Sequence, residues 1–418
     1  MRGFFRYSAI AFALIAVVGC EQHEQPTQSV WGDVNVPLDP SQHYIHFDAD
    51  INTRGTLVEG NYLEDDFAVL GYQYRGTWAS EKVFATPNVF DNTPQLVEYD
   101  GTVFSYGTPK VWTGNKYSFF AYYPSEHPKI TLFDNGTSKS GDPYIVYELP
   151  ISSKPTDLID VMTASYIDTG VASSASVALQ FHHRLCSVDV GARNYYEYNH
   201  DNNSETDPKL VTIEISSLTL DLTNIVSTTA KIYLDHTIPT ELNYKPTRES
   251  ISYVMVGSAA WAPNTFDVQP NTASDRAIRL VTTQSGENAS SILLLPQTEL
   301  LHGTVTLTYR KKFTDDDGTI KYQKINTETR VDEDGKEYEY TYYTWTSLPT
   351  DSNALKYYEF TPNLDINFSK ELIEGRRYYI ELTFTSDAVS VNIVAADEWN
   401  FIDKDGDGKS DNIDYEFE

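Results

Sequence analysis

Tyr44-Ile45-His46-Phe47-Asp48-Ala49-Asp50-Ile51-Asn52 is the stretch on which the fold turns. Successive side chains of an extended chain point to opposite faces, so Ile45, Phe47, Ala49 and Ile51 share one side. His46, Asp48, Asp50 and Asn52 share the other. Period-two alternation of this kind predicts a strand with one buried face. The signature recurs at 67–74, 102–106, 117–123, 144–149 and 177–190, then at 210–225, 230–234, 251–256, 278–283, 292–295 and 305–312. Asp315-Asp316-Asp317-Gly318 separates the last of these from 320–325, and Asp334-Gly335 separates two tyrosine-rich arms. Asp-Gly between alternating runs suits a turn that needs positive φ. Residues 378–384 and 389–394 make a final pair. No segment carries the sustained periodicity of a long amphipathic helix. Thirty tyrosines and only three methionines also favour strands. The expectation is an all-β chain of antiparallel β-sandwiches.

Outward from this body, the first residues read as an export signal. Arg2 and Arg6 form a basic segment, residues 9–18 are apolar and uncharged, and Val17-Val18-Gly19-Cys20 ends the run in small residues before a cysteine. The apolar run is shorter than the roughly 20 residues a permanent membrane helix needs. The layout is that of a lipoprotein signal over 1–20, with Cys20 as the acylated first residue of the mature chain. Residues 21–40 are polar and read as a tether. Cys186 is then the one remaining cysteine, so no intrachain disulfide forms, and its alternating apolar surroundings make it a small buried hydrophobe. About 400 residues exceed one simple sandwich. The polar stretch 199–207 is the expected boundary between an N-terminal domain, 41–198, and a C-terminal domain, 199–400, followed by an acidic tail, 401–418.

The formal net charge is −29, and loss of Arg2 and Arg6 with the signal brings it to −31. Such a surface repels nucleic acid and anionic headgroups, so nucleic acid is excluded as a partner and membrane contact is expected through lipid alone. No zinc-protease helix, nucleophile elbow, phosphate-cradling glycine loop or paired CxxC knuckle is present. His182-His183 lies within an expected strand, which predicts one ring inward and hydrogen-bonded. With no coherent catalytic set, the chain reads as a structural or binding protein rather than an enzyme. One stretch has a specific chemistry: Asp403-Lys404-Asp405-Gly406-Asp407-Gly408-Lys409-Ser410-Asp411-Asn412-Ile413-Asp414. Oxygen ligands at positions 1, 3, 5, 9 and 12 and glycine at 6 fit a calcium loop. Asp403, Asp405, Asp407, Asp411 and Asp414 would supply carboxylates and Lys409 its carbonyl. Asp414 stands where a bidentate glutamate is usual. The alternative is a solvated acidic tail.

Several segments together resemble the fimbrillin family, the type V pilins of the Bacteroidales. They are Trp112 with Tyr117-Ser-Phe-Phe-Ala-Tyr-Tyr-Pro124, Asp160-Val-Met-Thr-Ala164 and Val177-Ala-Leu-Gln-Phe-His-His-Arg-Leu185. Leu294-Leu-Pro-Gln297, Gly375 with Tyr378-Tyr-Ile-Glu-Leu-Thr-Phe384, and Val389-Ser-Val-Asn-Ile393 with Trp399 complete the set. The resemblance implies two transthyretin-like β-sandwich domains in tandem and a surface subunit of the outer membrane, assembled with other pilin subunits by strand exchange. It further implies a lipidated precursor whose first strand is removed by an arginine-specific protease.

Thr53-Arg54-Gly55 directly follows the opening strand and looks like the family's processing site, with Arg54 and Gly55 flanking the cut. The other reading of Arg54 is a residue of a surface turn. Cleavage there would remove lipid and strand together and leave a groove where Ile45, Phe47, Ala49 and Ile51 had packed. At about 1–2 kcal/mol per side chain the open groove costs several kcal/mol. Main-chain pairing would give a replacement strand its affinity and alternate side chains its register. At the other end Ile413, Tyr415 and Phe417 alternate with carboxylates and form a candidate donor strand that overlaps the calcium loop. Stalk and tip roles fit this reading, and a pilus anchor subunit, kept lipidated and uncut, is an alternative to it. The other alternative is a lipid-anchored surface binder that does not polymerise.

Overall fold

A computed structural model describes residues 43–51, 63–133, 141–150, 157–169, 176–195, 197–198, 209–242, 249–256, 266–269, 278–279, 291–385 and 388–395. Strands dominate. Helical elements include a single-turn helix at Trp78–Glu81 and a 3-10 helix at Ser352–Tyr358.

The first sheet has seven strands in the order β1 (Phe47–Ile51), β9 (Val177–His183), β8 (Met162–Thr169), β5 (Lys116–Tyr123), β2 (Phe67–Tyr74), β3 (Gln95–Tyr99) and β4 (Phe104–Ser105). A four-stranded sheet runs β15 (Glu241–Leu242), β14 (Thr229–Tyr233), β7 (Tyr144–Glu148), β6 (Ile130–Phe133). A five-stranded sheet runs β18 (Ile278–Arg279), β10 (Cys186–Asn194), β24 (Arg377–Phe384), β25 (Val389–Ala395), with β19 (Ile292–Leu294) also on β10. The second seven-stranded sheet runs β16 (Glu249–Val256), β13 (Thr212–Ile225), β20 (His302–Thr314), β21 (Ile320–Val331), β22 (Glu337–Thr346). There β17 (Phe266–Val268) joins β13 and β23 (Asn363–Asn367) joins β20. A short ladder joins β11 (Glu197–Tyr198) to β12 (Lys209–Leu210).

Alternation along these strands divides the interior into two cores. On β2, Phe67 and Val69 face one core while Ala68, Leu70 and Tyr72 face the other, and on β5 Phe119 and Ala121 oppose Phe120 and Tyr122. The smaller core is lined by β1, β2, β5, β8 and β9. The larger begins on the opposite face of β2 and β5 and continues through Ile145, Ile232, Val188, Leu220, Leu307 and Ile380. Gly318 and Gly335 take φ of +83° and +81° in the two Asp-Gly turns, as those sequences require.

Among the described residues most ladders are antiparallel, but two are parallel: β1 on β9, and β10 on β24. Turn residues specify only local hairpins, and these partners lie far apart in sequence. The run 177–190, read as one strand, is broken at Arg184 and Leu185 into β9 and β10, which join different sheets. Cys186, Ser187, Asp189 and Arg193 are buried in β10, where Asp189 meets Arg377 at 3.3 Å and Arg193 meets Glu381 at 2.7 Å. The expected divide at 199–207 lies outside the described residues, and hydrogen-bonded ladders run across it. β7 pairs with β14, and β10 with β24, so the segments 41–198 and 199–400 share sheets. A polar stretch in the sequence does not state which sheet its flanking strands will join.

Candidate functional site: the slot filled by the first strand

β1 is the terminal strand of its sheet, and the sequence explains its hold there. Phe47 to Ile51 pair in parallel register with Val177 to Phe181. Ile45, Phe47, Ala49 and Ile51 are 0, 2, 3 and 5% exposed, while Asp48 and Asp50 lie at the surface. Phe47 is the hub: its ring lies 5.3 Å from Phe119, 5.6 Å from Tyr106, 6.3 Å from Phe90 and 6.4 Å from Phe67. These tilted and edge-on arrangements are favourable geometries for aromatic pairs.

The strand is held on both sides. Val177 donates its backbone N–H to the His46 carbonyl at 2.7 Å on the β9 side. Opposite, Ile45 donates to the Lys110 carbonyl and Trp112 donates to the His43 carbonyl, each at 2.9 Å, with Tyr44 bridging Val111. The Tyr106 hydroxyl donates to the Ile45 carbonyl at 2.9 Å, and burial pushes its pKa well up, keeping it a neutral donor. Leu63 donates to the Ala49 carbonyl at 3.3 Å. β1 thus closes the curl of the first sheet and fills its core, held at one edge by a ladder and at the other by a few hydrogen bonds.

The four alternating apolar residues therefore converge as their period predicts. Sequence reading missed the walls that receive them: Val177, Leu179 and Phe181 from β9, with Phe90, Tyr106, Trp112 and Phe119. The alternation of Val177, Leu179 and Phe181 was a matching signal, but a period does not name its partner. Cys20, Arg54, Gly55, the loop ligands Asp403, Asp405, Asp407, Lys409, Asp411 and Asp414, and Ile413, Tyr415 and Phe417 lie outside the described residues. Among the described residues no cluster of three or more His, Cys, Asp or Glu side chains is arranged to hold a metal. No described helix is long and apolar enough to cross a membrane.

Two side chains with catalytic potential have structural settings. Cys186 is fully buried, its Sγ donates to the Ile373 carbonyl at 3.0 Å, and burial raises its pKa well above the ordinary thiol value. That setting opposes thiolate formation. His183 is the inward ring of its pair, with Nδ1 2.7 Å from Asp160 Oδ2 in a buried contact. His182 points the other way and stacks on His236 at 3.7 Å.

The geometry describes an all-β protein whose own terminal strand completes a hydrophobic core. Residues 53–397 match the fimbrillin-like family, and the chain belongs to it. The match begins two residues past β1. A fimbrium subunit, Fim1C, of Phocaeicola vulgatus is 26% identical over 43% of this chain and 48% of its own length, so the chain spans about half the length of that curated relative. A crystal structure of a fimbrial protein from Bacteroides vulgatus is similar in fold, with a TM-score of 0.51 and 18% identity over 85% of this chain and 99% of that one.

Proposed function

We propose that this chain is a structural subunit of a cell-surface fimbria that serves adhesion and assembles by exchange of its first strand. The observation that carries the reading is β1: a terminal strand, four alternating side chains deep in a core, and Thr53-Arg54-Gly55 just beyond it. In this account the precursor is exported as an outer-membrane lipoprotein acylated on Cys20. An arginine-specific protease cuts between Arg54 and Gly55. Loss of β1 bares Val177, Leu179, Phe181 and Phe119, and a neighbouring pilin subunit inserts a strand in its place. Ile413, Tyr415 and Phe417 have the spacing to occupy three of the four vacated positions. Burying one such large side chain is worth roughly 1.5–3 kcal/mol, so three in register hold a partner firmly. The subunit works by assembly rather than catalysis.

Treatment of the purified lipoprotein with an arginine-specific protease tests this. The expected result is one cut at Arg54 followed by ladders of oligomers, with Arg54→Ala abolishing both. A stable monomer with scattered nicks would instead favour a lipid-anchored binder that does not polymerise.

The acidic loop after residue 402 is proposed to bind calcium through Asp403, Asp405, Asp407, Asp411, Asp414 and the Lys409 carbonyl. Its support is the fit of hard oxygen donors and the Gly408 turn to calcium coordination. Calorimetric titration of the whole chain with calcium should give saturable heat that Asp405→Ala with Asp407→Ala removes. No difference between the two proteins would discard the site.

A further inference from the structure

The β21–β22 ribbon projects from its sheet. β20 supports β21 only at Ile320 to Tyr322, whereas β21 and β22 pair from Tyr322 opposite Thr346 out to Val331 opposite Glu337. At its base one face is anchored through Trp345, 4.8 Å from Phe313, while Tyr343 on that face lies 6.1 Å from Phe360 and is 54% exposed. The opposite face carries Tyr338, Tyr340 and Tyr342 at alternate positions, directly across from Arg330, Glu328 and Asn326. Tyr338 and Tyr340 are 44 and 36% exposed, and the Tyr340 and Tyr342 rings lie 6.0 Å apart and nearly parallel. Tyr342 is half-buried, so the row runs from a partly covered ring at the base to exposed rings further out.

Charge indicates what covers them. Residues 328–339 hold six carboxylates and two cations, in a chain of net charge −29. The ring face already accepts a cation: the Arg330 guanidinium lies 3.5 Å from the centre of Tyr340, and its charge is matched by Glu328 at 2.6 Å. An aromatic face attracts lysine and arginine through its quadrupole, and a surrounding acidic field concentrates them. A second copy of this chain brings the same negative charge and is disfavoured.

We infer that the Tyr338–Tyr340–Tyr342 face docks a basic polypeptide segment, one with lysine or arginine at alternate positions, and so forms a contact surface for a protein partner. A strand repeats its side-chain direction every second residue, so its cations fall in step with the tyrosines. This inference is independent of strand exchange, because the uncut chain already carries the ribbon and its own β1.

The test uses the uncut full-length chain and a fluorescent short peptide alternating lysine and serine, in about 0.15 M salt to suppress diffuse attraction. The wild type should bind it saturably, and the same peptide with glutamate for lysine should not bind. Replacing Tyr338, Tyr340 and Tyr342 together by Ser should weaken binding by about tenfold or more, since each exposed cation–π contact contributes modestly and three act together. Tyr343→Ser, on the opposite face, should leave affinity unchanged. Tyr340→Leu keeps apolar area but removes the ring, and should weaken binding about threefold even if the triple variant fails to fold. Equal affinity for wild type and Tyr340→Leu would mean that net charge alone is read, and would overturn the assignment. So would dextran, a neutral polysaccharide, binding in a tyrosine-dependent way while the lysine peptide does not bind.

Discussion

Phe47 shows what one residue contributes to the slot. Its ring touches aromatic partners contributed by β2, β5 and the 90–106 region, so its removal leaves a cavity with rigid walls. Phe47→Ala should therefore destabilise the uncut chain by about 3–5 kcal/mol in chemical denaturation. If β1 is exchanged, the same substitution should leave assembled, processed subunits as stable as wild type, because the residue has departed. The stacked pair His182 and His236 gives a second residue-scale prediction. Burial, then the neighbouring His236, Arg184 and His183, lower the His182 pKa to about 4, and burial lowers that of His236. A depressed folded pKa means the unfolded chain binds more protons between the two values. Stability should be full above about pH 6.5 and should decline as pH falls from there towards 4. Melting temperatures of His236→Asn across that window should fall less steeply than those of wild type. Equal slopes would show that the stack does not control the acid response.

At the scale of the element, β1 should behave as a detachable strand. A chain lacking the first 54 residues should bind an apolar dye more strongly than the full-length protein, and a synthetic peptide of residues 43–52 should reverse this. A peptide in which Ile45, Phe47, Ala49 and Ile51 each exchange places with the following polar residue should fail, because a one-residue slip turns every apolar side chain outward. Equal rescue by both peptides would show that the slot reads no register. This element was the most legible in the sequence, since four alternating apolar residues state both strand and buried face. Its partner was not legible. Nothing local says that Val177 to Phe181 lie beside it in parallel, or that Lys110 and Trp112 close its other edge. The same limit explains why 177–190 read as one strand: both halves alternate, and at the change of sheet His183 meets Asp160 and Arg184 meets Glu374, partners that a local period does not name. The Asp-Gly turns, by contrast, are local chemistry and emerged where expected, with positive φ at glycine.

For the whole molecule, shared sheets and net charge set the terms of assembly. Because β7 pairs with β14 and β10 with β24, removal of β1 leaves a body still tied together through the larger core. Residues 1–54 hold three arginines and six carboxylates, so subunits cut at Arg54 carry a net charge of −26; they repel one another, and any assembly of them must overcome a field that salt screens. Oligomer formation after cleavage should accelerate as ionic strength rises from about 0.01 M to about 0.15 M, where the screening length falls from roughly 30 to 8 Å. A rate independent of salt would argue that the contact surfaces carry little of that charge.

The central claim is that the β1 slot is emptied and then refilled by another chain. Amide hydrogen exchange at Val177, Leu179 and Phe181 measures this most directly, because alternate residues of β9 turn their N–H groups towards β1, as Val177 does to the His46 carbonyl. These amides should be protected in the lipoprotein, exchange rapidly in cut monomers washed free of residues 1–54, and regain protection in the polymer. Protection that survives removal of the fragment, or that fails to return in the polymer, would contradict the account.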